Sequence, residues 1–304
     1  MQTIKIEAQC PAKINLTFDI KGRFEDGYHE VETVLQAVSL YDQLVFSCQL
    51  GKPFAVKVSA AGPALPEFPP TQENIIYKAA QAFCRNLPGG TDFDLEVVVN
   101  KNIPIGAGLG GASSNAAATL LALNAIFNNP LSNESLTNIA RTLGADIPFF
   151  ITGGLRLGTA RGDKLQPLNP LPPLWIVLVK PRKISIQTKW AYAQFDKWEK
   201  SHGTADLPKP DWHAASNKLQ PNKLGNVFEP VIFEHYPMLT QLKYTVESAG
   251  ATCCHMTGSG SALYGLTISE EHANSVADKL SLSQESLDVD TYVVQGIEHG
   301  VLVL

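Results

Sequence analysis

No stretch of this 304-residue chain approaches the ~18 consecutive apolar residues that a membrane-spanning helix needs. Positive charge is not in excess either, with 24 Lys and Arg against 29 Asp and Glu for a net charge of -5. A broad basic face for nucleic acid or an anionic membrane is therefore not expected, and the expected partner is a small molecule. Cysteine is scarce, at five residues. Cys253 and Cys254 are adjacent and Cys10, Cys48 and Cys84 are scattered, which is neither a Cys-x-x-Cys pair nor an even disulfide framework, so reduced core thiols are expected. Internal repeats, heptads and low-complexity tracts are lacking. Met1 to Cys10 alternates apolar and polar residues, unlike a signal or transit peptide, and the expected compartment is the cytoplasm, although a mature organelle form would look the same.

What is present is a globular composition, 44% hydrophobic and 17% charged. The length exceeds the ~150 residues that one core serves comfortably, so two domains sharing a cleft are expected. The proline-rich run Asn169 to Pro173 is the candidate boundary, dividing the chain into 1–168 and 169–304. From Ile4 to Ile20 the even positions are apolar, the period of a strand, interrupted near Pro11. That strand sets Lys13, Asn15 and Thr17 on the face away from the core. Further strands are predicted at Val31–Leu40, Asp42–Phe46, Phe54–Val58, Phe93–Val99, Leu174–Val179, Ala262–Thr267 and Thr291–Gln295. Helical spacing covers Glu73–Asn86, Ser114–Phe127, Ser135–Leu143, Glu229–His235, Met238–Ser248 and Glu271–Leu280. Gly62–Pro70 reads as a loop, Pro88–Gly90 as a turn and residues 202–222 as a surface insertion.

The strongest local signal is Ile103-Pro104-Ile105-Gly106-Ala107-Gly108-Leu109-Gly110-Gly111-Ala112-Ser113-Ser114-Asn115, where four glycines open a helix. Glycine lets backbone approach a ligand closely, and the unpaired N–H groups at a helix start favour phosphate. Ser113 and Ser114 are expected to add hydroxyl donors and a helix cap. The spacing Gly106, Gly108, Gly111 also satisfies G-x-G-x-x-G, yet Asn128, Asn129 and Pro130 stand where a dinucleotide site would place its acidic residue. No Lys-Ser or Lys-Thr closes the loop, so it is not a P-loop either.

Asp146, within Leu143-Gly-Ala-Asp-Ile-Pro-Phe-Phe150, is the candidate general base. It is expected to be buried among apolar neighbours, with the Lys13 ammonium restoring its charged form. A carboxylate for an alcohol proton, a cation for developing charge and backbone donors for a triphosphate together describe phosphoryl transfer. Thr257, Gly258 and Ser259, in Met256-Thr-Gly-Ser-Gly-Ser261, could cover the same phosphates as a second anion nest. Tyr28 and His29 offer an aromatic face and a hydrogen-bonding edge, while Trp190 and Tyr192 read as core aromatics.

Pro11-Ala-Lys-Ile-Asn15, the 103–118 segment and Met256–Ser261 resemble the three motifs of the GHMP kinases. Ala12–Leu16 with Gly27–Glu30, Leu143–Phe150 and Asn226-Val-Phe-Glu229 resemble the branch that acts on a cytidine diphosphate derivative of methylerythritol. The resemblance runs in order from about residue 8 to residue 266. It implies an α+β fold: an amino-terminal domain like the second domain of ribosomal protein S5, a ferredoxin-like carboxy-terminal domain and an active site between them. It also implies ATP with Mg2+, for which no ligands stand out. By resemblance Asp146 is the base, Lys13 the catalytic lysine, Asn15 an acceptor-holding residue and Asn74 part of the adenine pocket edge. Tyr28 and His29 are the cytosine-reading pair and Tyr192 the aromatic on the opposite face. The sequence departs from the family pattern at Ala112, at Val227, and at Ala160-Arg161-Gly162 in place of Gly-Arg-Gly. Oligomeric state, monomer or homodimer, stays open.

Overall fold

The computed structural model describes residues 3–62, 68, 71–87, 92–203, 207, 212, 219–282 and 288–304. Most of the Gly62–Pro70 loop, the Pro88–Gly90 turn and much of 202–222 lie outside the described residues.

The long alternating segment forms β1 (Ile4–Arg23), paired antiparallel with β2 (His29–Leu50). Their register shifts between Pro11 and Ala12, between Asn15 and Thr17, and between Ile20 and Gly22. Such bulges turn side chains relative to the sheet, and here they fall around Lys13 and Asn15. β3 (Ala55–Ala61) runs parallel to β4 (Phe93–Asn100), which pairs with β2. Helices α1 (Ile75–Arg85), α2 (Gly111–Ile126), α3 (Asn133–Leu143) and α4 (Ile147–Thr152) complete this half, followed by the short strands β5 (Leu155–Thr159) and β6 (Lys164–Pro167).

The second half begins with β7 (Trp175–Pro181) and α5 (Thr188–His202). It continues through β8 (Gly225–Asn226), α6 (Glu229–His235), α7 (Pro237–Ser248), β9 (Cys253–Met256), β10 (Leu263–Thr267), α8 (Glu270–Leu282), β11 (Val289–Ile297) and β12 (Leu302–Val303). The sheet is continuous across both halves, in the order β12-β1-β2-β11-β7-β10-β9. β11 joins β2 through Gly296–Val38 and Ile297–Ala37, and β12 returns to β1 at Ala8 and Gln9.

Three hydrophobic clusters fill the interior, and β1 contributes to each. Ala8 and Cys10 belong to the cluster under α1–α4, Ala12, Ile14 and Leu16 to a central one, and Phe18 and Ile20 to the one under α5–α8. The odd positions of its middle are equally enclosed, since Lys13 and Asn15 are buried. They sit away from the core, as the alternation predicts, but face a cleft rather than open water.

Helix ends explain local boundaries. The α1 cap is Asn74, whose side chain accepts from Ile76 N, and the α3 cap is Ser132, which accepts from Ser135 N. α2 starts three residues earlier than predicted: Gly110, with φ 72°, precedes it and no side chain caps it. Ser113 and Ser114 are therefore inside the helix, not at its cap. Leaving the first N–H groups of α2 uncapped leaves them free for an anion.

Candidate active site

The two glycine-rich motif loops converge on the first motif, in the middle of β1. The Lys13 backbone N–H donates to Leu109 O at 3.0 Å, binding strand to glycine loop. Lys13 Nζ donates to Asn15 Oδ1 at 2.7 Å, and Asn15 Nδ2 donates to Thr33 Oγ1 at 2.7 Å. Asp146 Oδ2 lies 3.7 Å from Lys13 Nζ. The two therefore form the pair that the motif spacing anticipates.

One expectation fails at Asp146. The Lys13 side chain is 4% exposed but that of Asp146 is 43% exposed, so the carboxylate reaches into the cleft rather than resting among apolar neighbours. Its neighbours, not the carboxylate, carry the burial. Phe149 and Phe150 are fully enclosed and fix α4, while Asp146 stands at the helix head and makes no capping hydrogen bond. A carboxylate spared from capping can accept a proton.

The glycine loop is held by a buried ion pair. Lys101 Nζ meets Asp42 Oδ2 at 2.6 Å and also donates to Ile103 O at 2.7 Å. Asp42 Oδ1 accepts from Asn102 N at 2.9 Å and Ile103 N at 2.8 Å. Burial pushes the Lys101 ammonium below its ordinary value despite the opposing pull of Asp42. Burial first, and then the Asp42 charge, pushes the neighbouring Cys10 thiol up, which makes it inert. Within the loop, a Cβ on Gly108 would stand 2.2 Å from Thr257 O at φ +77°, so the close approach of the two loops requires glycine there.

The third loop is clamped from behind. Asn226 Nδ2 donates to Met256 O at 2.8 Å and Gly258 O at 2.7 Å, and Glu229 Oε1 accepts from Met256 N at 2.8 Å. Burial alone would raise the Glu229 carboxyl, but His255 and then Lys243 hold it below its ordinary value. Thr257 is fully buried, and its hydroxyl accepts from Asn15 N at 3.0 Å. It supports β1 from behind the cleft wall, whereas Gly258 and Ser259 line the cleft. Ser113 lines it too, but Ser114 is buried, with its hydroxyl lacking a hydrogen-bond partner among the described residues. Asn74 and the run from Pro104 to Ala112 reach the cleft as predicted.

At the far end the cleft changes character. Tyr28 is 60% exposed, with the Arg161 guanidinium 4.0 Å from its ring centroid, and Arg161 pairs with Asp26. His29 stacks on Tyr192 at 4.6 Å, and its Nε2 lies 2.6 Å from Asp196 Oδ1. Tyr192 lines the cleft beside His29 and also packs edge-on against the buried Phe228, so it is a cleft aromatic anchored in the core; Trp190 packs edge-on against His235 and Tyr236. Burial, and then the Asp146 carboxylate, pushes the Tyr192 phenol up. The whole cleft has a volume of about 1520 Å³. That exceeds the ~300–1,000 Å³ of a single small-ligand site and suits two nucleotide-sized molecules.

Asp42, Lys101 and Asp196 escape the sequence reading. Asp196 follows Tyr192 by one helical turn, a spacing that places both on one face of α5 and could have drawn attention to it.

Comparison with known proteins defines the class. The family model for the GHMP kinases N terminal domain matches residues 74–154, and that for the GHMP kinases C terminal matches 205–284. Curated relatives named 4-diphosphocytidyl-2-C-methyl-D-erythritol kinase share 37% identity in Pelotomaculum thermopropionicum, over 93% of this chain and 96% of that one. The relative of that name in Thermosynechococcus vestitus shares 34%, over 96% and 97%. A crystal structure of 4-(cytidine 5'-diphospho)-2C-methyl-D-erythritol kinase superposes with a TM-score of 0.74 at 32% identity, covering 96% of this chain and 99% of that one. The chain belongs to the 4-diphosphocytidyl-2-C-methyl-D-erythritol kinase family of GHMP kinases. A homoserine kinase from Cytophaga hutchinsonii, at TM-score 0.71 and 19% identity, shares the fold.

Proposed function

We infer that the enzyme transfers the γ-phosphoryl group of ATP to the 2-hydroxyl of 4-diphosphocytidyl-2-C-methyl-D-erythritol, a step in the methylerythritol phosphate route to isoprenoids. The observation that carries the chemistry is the Lys13–Asp146 pair, 3.7 Å apart, at the mouth of an uncapped helix that a glycine loop leads into. Asp146 accepts the hydroxyl proton as the oxygen attacks the γ-phosphorus and the bond to the ADP oxygen breaks. Lys13 orients that carboxylate and offsets charge, and the N–H groups of Gly106–Ser113 hold the phosphates. Asn15, fixed by Thr33 and Thr257, holds the acceptor beside Lys13. Tyr28 and His29 at the other end receive the cytosine.

Magnesium enters with the nucleotide. No group of three or more His, Cys, Asp or Glu side chains that could hold a metal ion occurs among the described residues, and a magnesium ion arriving with the nucleotide would offset charge on the phosphates. Asn115 Oδ1, buried in the cleft wall without a hydrogen-bond partner among the described residues, is a protein oxygen that would fit such an ion. No helix among the described residues is long and apolar enough to cross a membrane, and we place the enzyme in the cytoplasm, acting on small molecules rather than nucleic acid.

Coupled ADP release tests the reaction. Turnover is expected with the cytidyl substrate and not with mevalonate or homoserine. Turnover with one of those alcohols would leave the kinase chemistry standing and overturn the substrate. ATP binding without turnover would point to a regulator that keeps the cleft.

A further inference from the structure

His29 lines the cleft with a choice of hydrogen-bonding sense, because each ring nitrogen can be donor or acceptor. Its Nε2 faces Asp196 Oδ1 at 2.6 Å, and the same carboxylate oxygen takes Arg23 Nη2 at 2.5 Å. A carboxylate oxygen bound by a guanidinium accepts only, so the proton in the His29 contact belongs on Nε2. Arg23 already supplies the counter-charge to Asp196, and a neutral ring satisfies the geometry. The groups around His29 are Asp196, Arg23 with Glu199 at 3.8 Å beyond it, and the stacked Tyr192 ring. The imidazole is 10% exposed and has no partner at Nδ1 among the described residues, although it lines the cleft.

We propose that Asp196, backed by Arg23, is a specificity-determining positioning residue: it locks the His29 proton on Nε2 and leaves Nδ1 as a bare acceptor, so that the cleft accepts a pyrimidine bearing an amino group and rejects one bearing a carbonyl there. Cytosine and uracil have nearly the same shape and differ in this sense of hydrogen bonding, at the exocyclic position and the adjacent ring nitrogen. An acceptor facing the uracil carbonyl leaves two buried acceptors opposed, a penalty that converts to roughly 10- to 100-fold in affinity. The bond also joins α5 to the β1–β2 hairpin, so the selectivity depends on a contact made between the two halves of the chain. The proposal rests on the cytidyl-substrate reading above.

The test compares kcat/KM for the cytidyl substrate and its uridine counterpart in the wild type, Asp196→Asn and Asp196→Glu. The asparagine amide can donate to Nε2 and move the ring proton to Nδ1. The expected result is a loss of roughly 10- to 100-fold for the cytidyl substrate through KM, a smaller loss or a gain for the uridyl one, and recovery of discrimination in Asp196→Glu. An unchanged cytidyl-to-uridyl ratio in Asp196→Asn overturns the proposal while wild-type turnover keeps the kinase reading. Failure of the wild type on the cytidyl substrate removes both. Should Asp196→Asn not fold, long-range proton–nitrogen correlation on the wild type, with His29 assigned from His29→Gln, reads the tautomer directly. The Nε2–H pattern is expected, and an Nδ1–H ring or an imidazolium at pH 7.5 overturns it.

Discussion

The two ends of the cleft are made of different material. At the end we assign to the phosphates the proposed ligand groups are backbone N–H groups of two glycine-rich loops, and the side chains there, Lys13, Asn15, Lys101 and Asp42, are buried and paired as Lys13–Asn15 and Lys101–Asp42. At the end we assign to the base the groups are side chains, Tyr28, His29 and Arg161 on hairpin and loop rims and Tyr192 on α5, and Tyr28 is mostly exposed. Backbone donors recognise phosphate whatever it is attached to, whereas side chains can differentiate one base from another.

If that contrast holds, damage at the phosphate end appears in kcat or ATP binding for any acceptor, and damage at the base end appears in KM for one substrate. The largest expected effect is Asp146→Asn, a fall of about 10²- to 10⁴-fold in kcat with ATP affinity kept, read by coupled ADP release. An unchanged kcat would remove the base assignment. Gly108→Ala comes next, because its Cβ would meet Thr257 O at 2.2 Å in a left-handed backbone. Strain of about 1–3 kcal/mol should raise the KM for ATP or lower the melting temperature, and neither change would mean the loops are not held together. Tyr28→Ala is expected to raise the KM for the cytidyl substrate by roughly 5- to 100-fold, the range of one lost stacking contact, without moving the KM for ATP. Equal shifts in both KM values would break the contrast. The smallest effect is at Ala160, which takes φ +60° where the family pattern has glycine. Ala160→Gly should raise stability by about 1 kcal/mol in thermal unfolding and leave kcat alone, since the strain lies in the rim beside Arg161.

Legibility in the sequence follows the same division. β1 was readable from its alternation, and the glycine loop, Lys13 and Asp146 from local motifs, because each depends on residues near one another in the chain. The exposure of Asp146 was not readable, since α4 takes up its apolar neighbours and turns the carboxylate outward. The pairs Lys101–Asp42 and His29–Asp196 join residues 59 and 167 positions apart, and Asn226 reaches a carbonyl 32 positions away. No local pattern encodes such pairings. The short strands β5, β6, β8, β9 and β12 were also missed, being five residues or fewer and defined by their partners rather than by periodicity.

β1 runs through all three hydrophobic clusters, and β11 ladders onto β2 across the midline of the molecule. A chain divided into two domains by its family models is in this respect a single cooperative body. Neither half can melt without withdrawing a strand from the interior of the other, so heating should give one calorimetric transition whose enthalpy equals the van't Hoff value. The same coupling means that a lesion far out in α7 or α8 loosens the strand carrying Lys13, and that activity and global stability decline together.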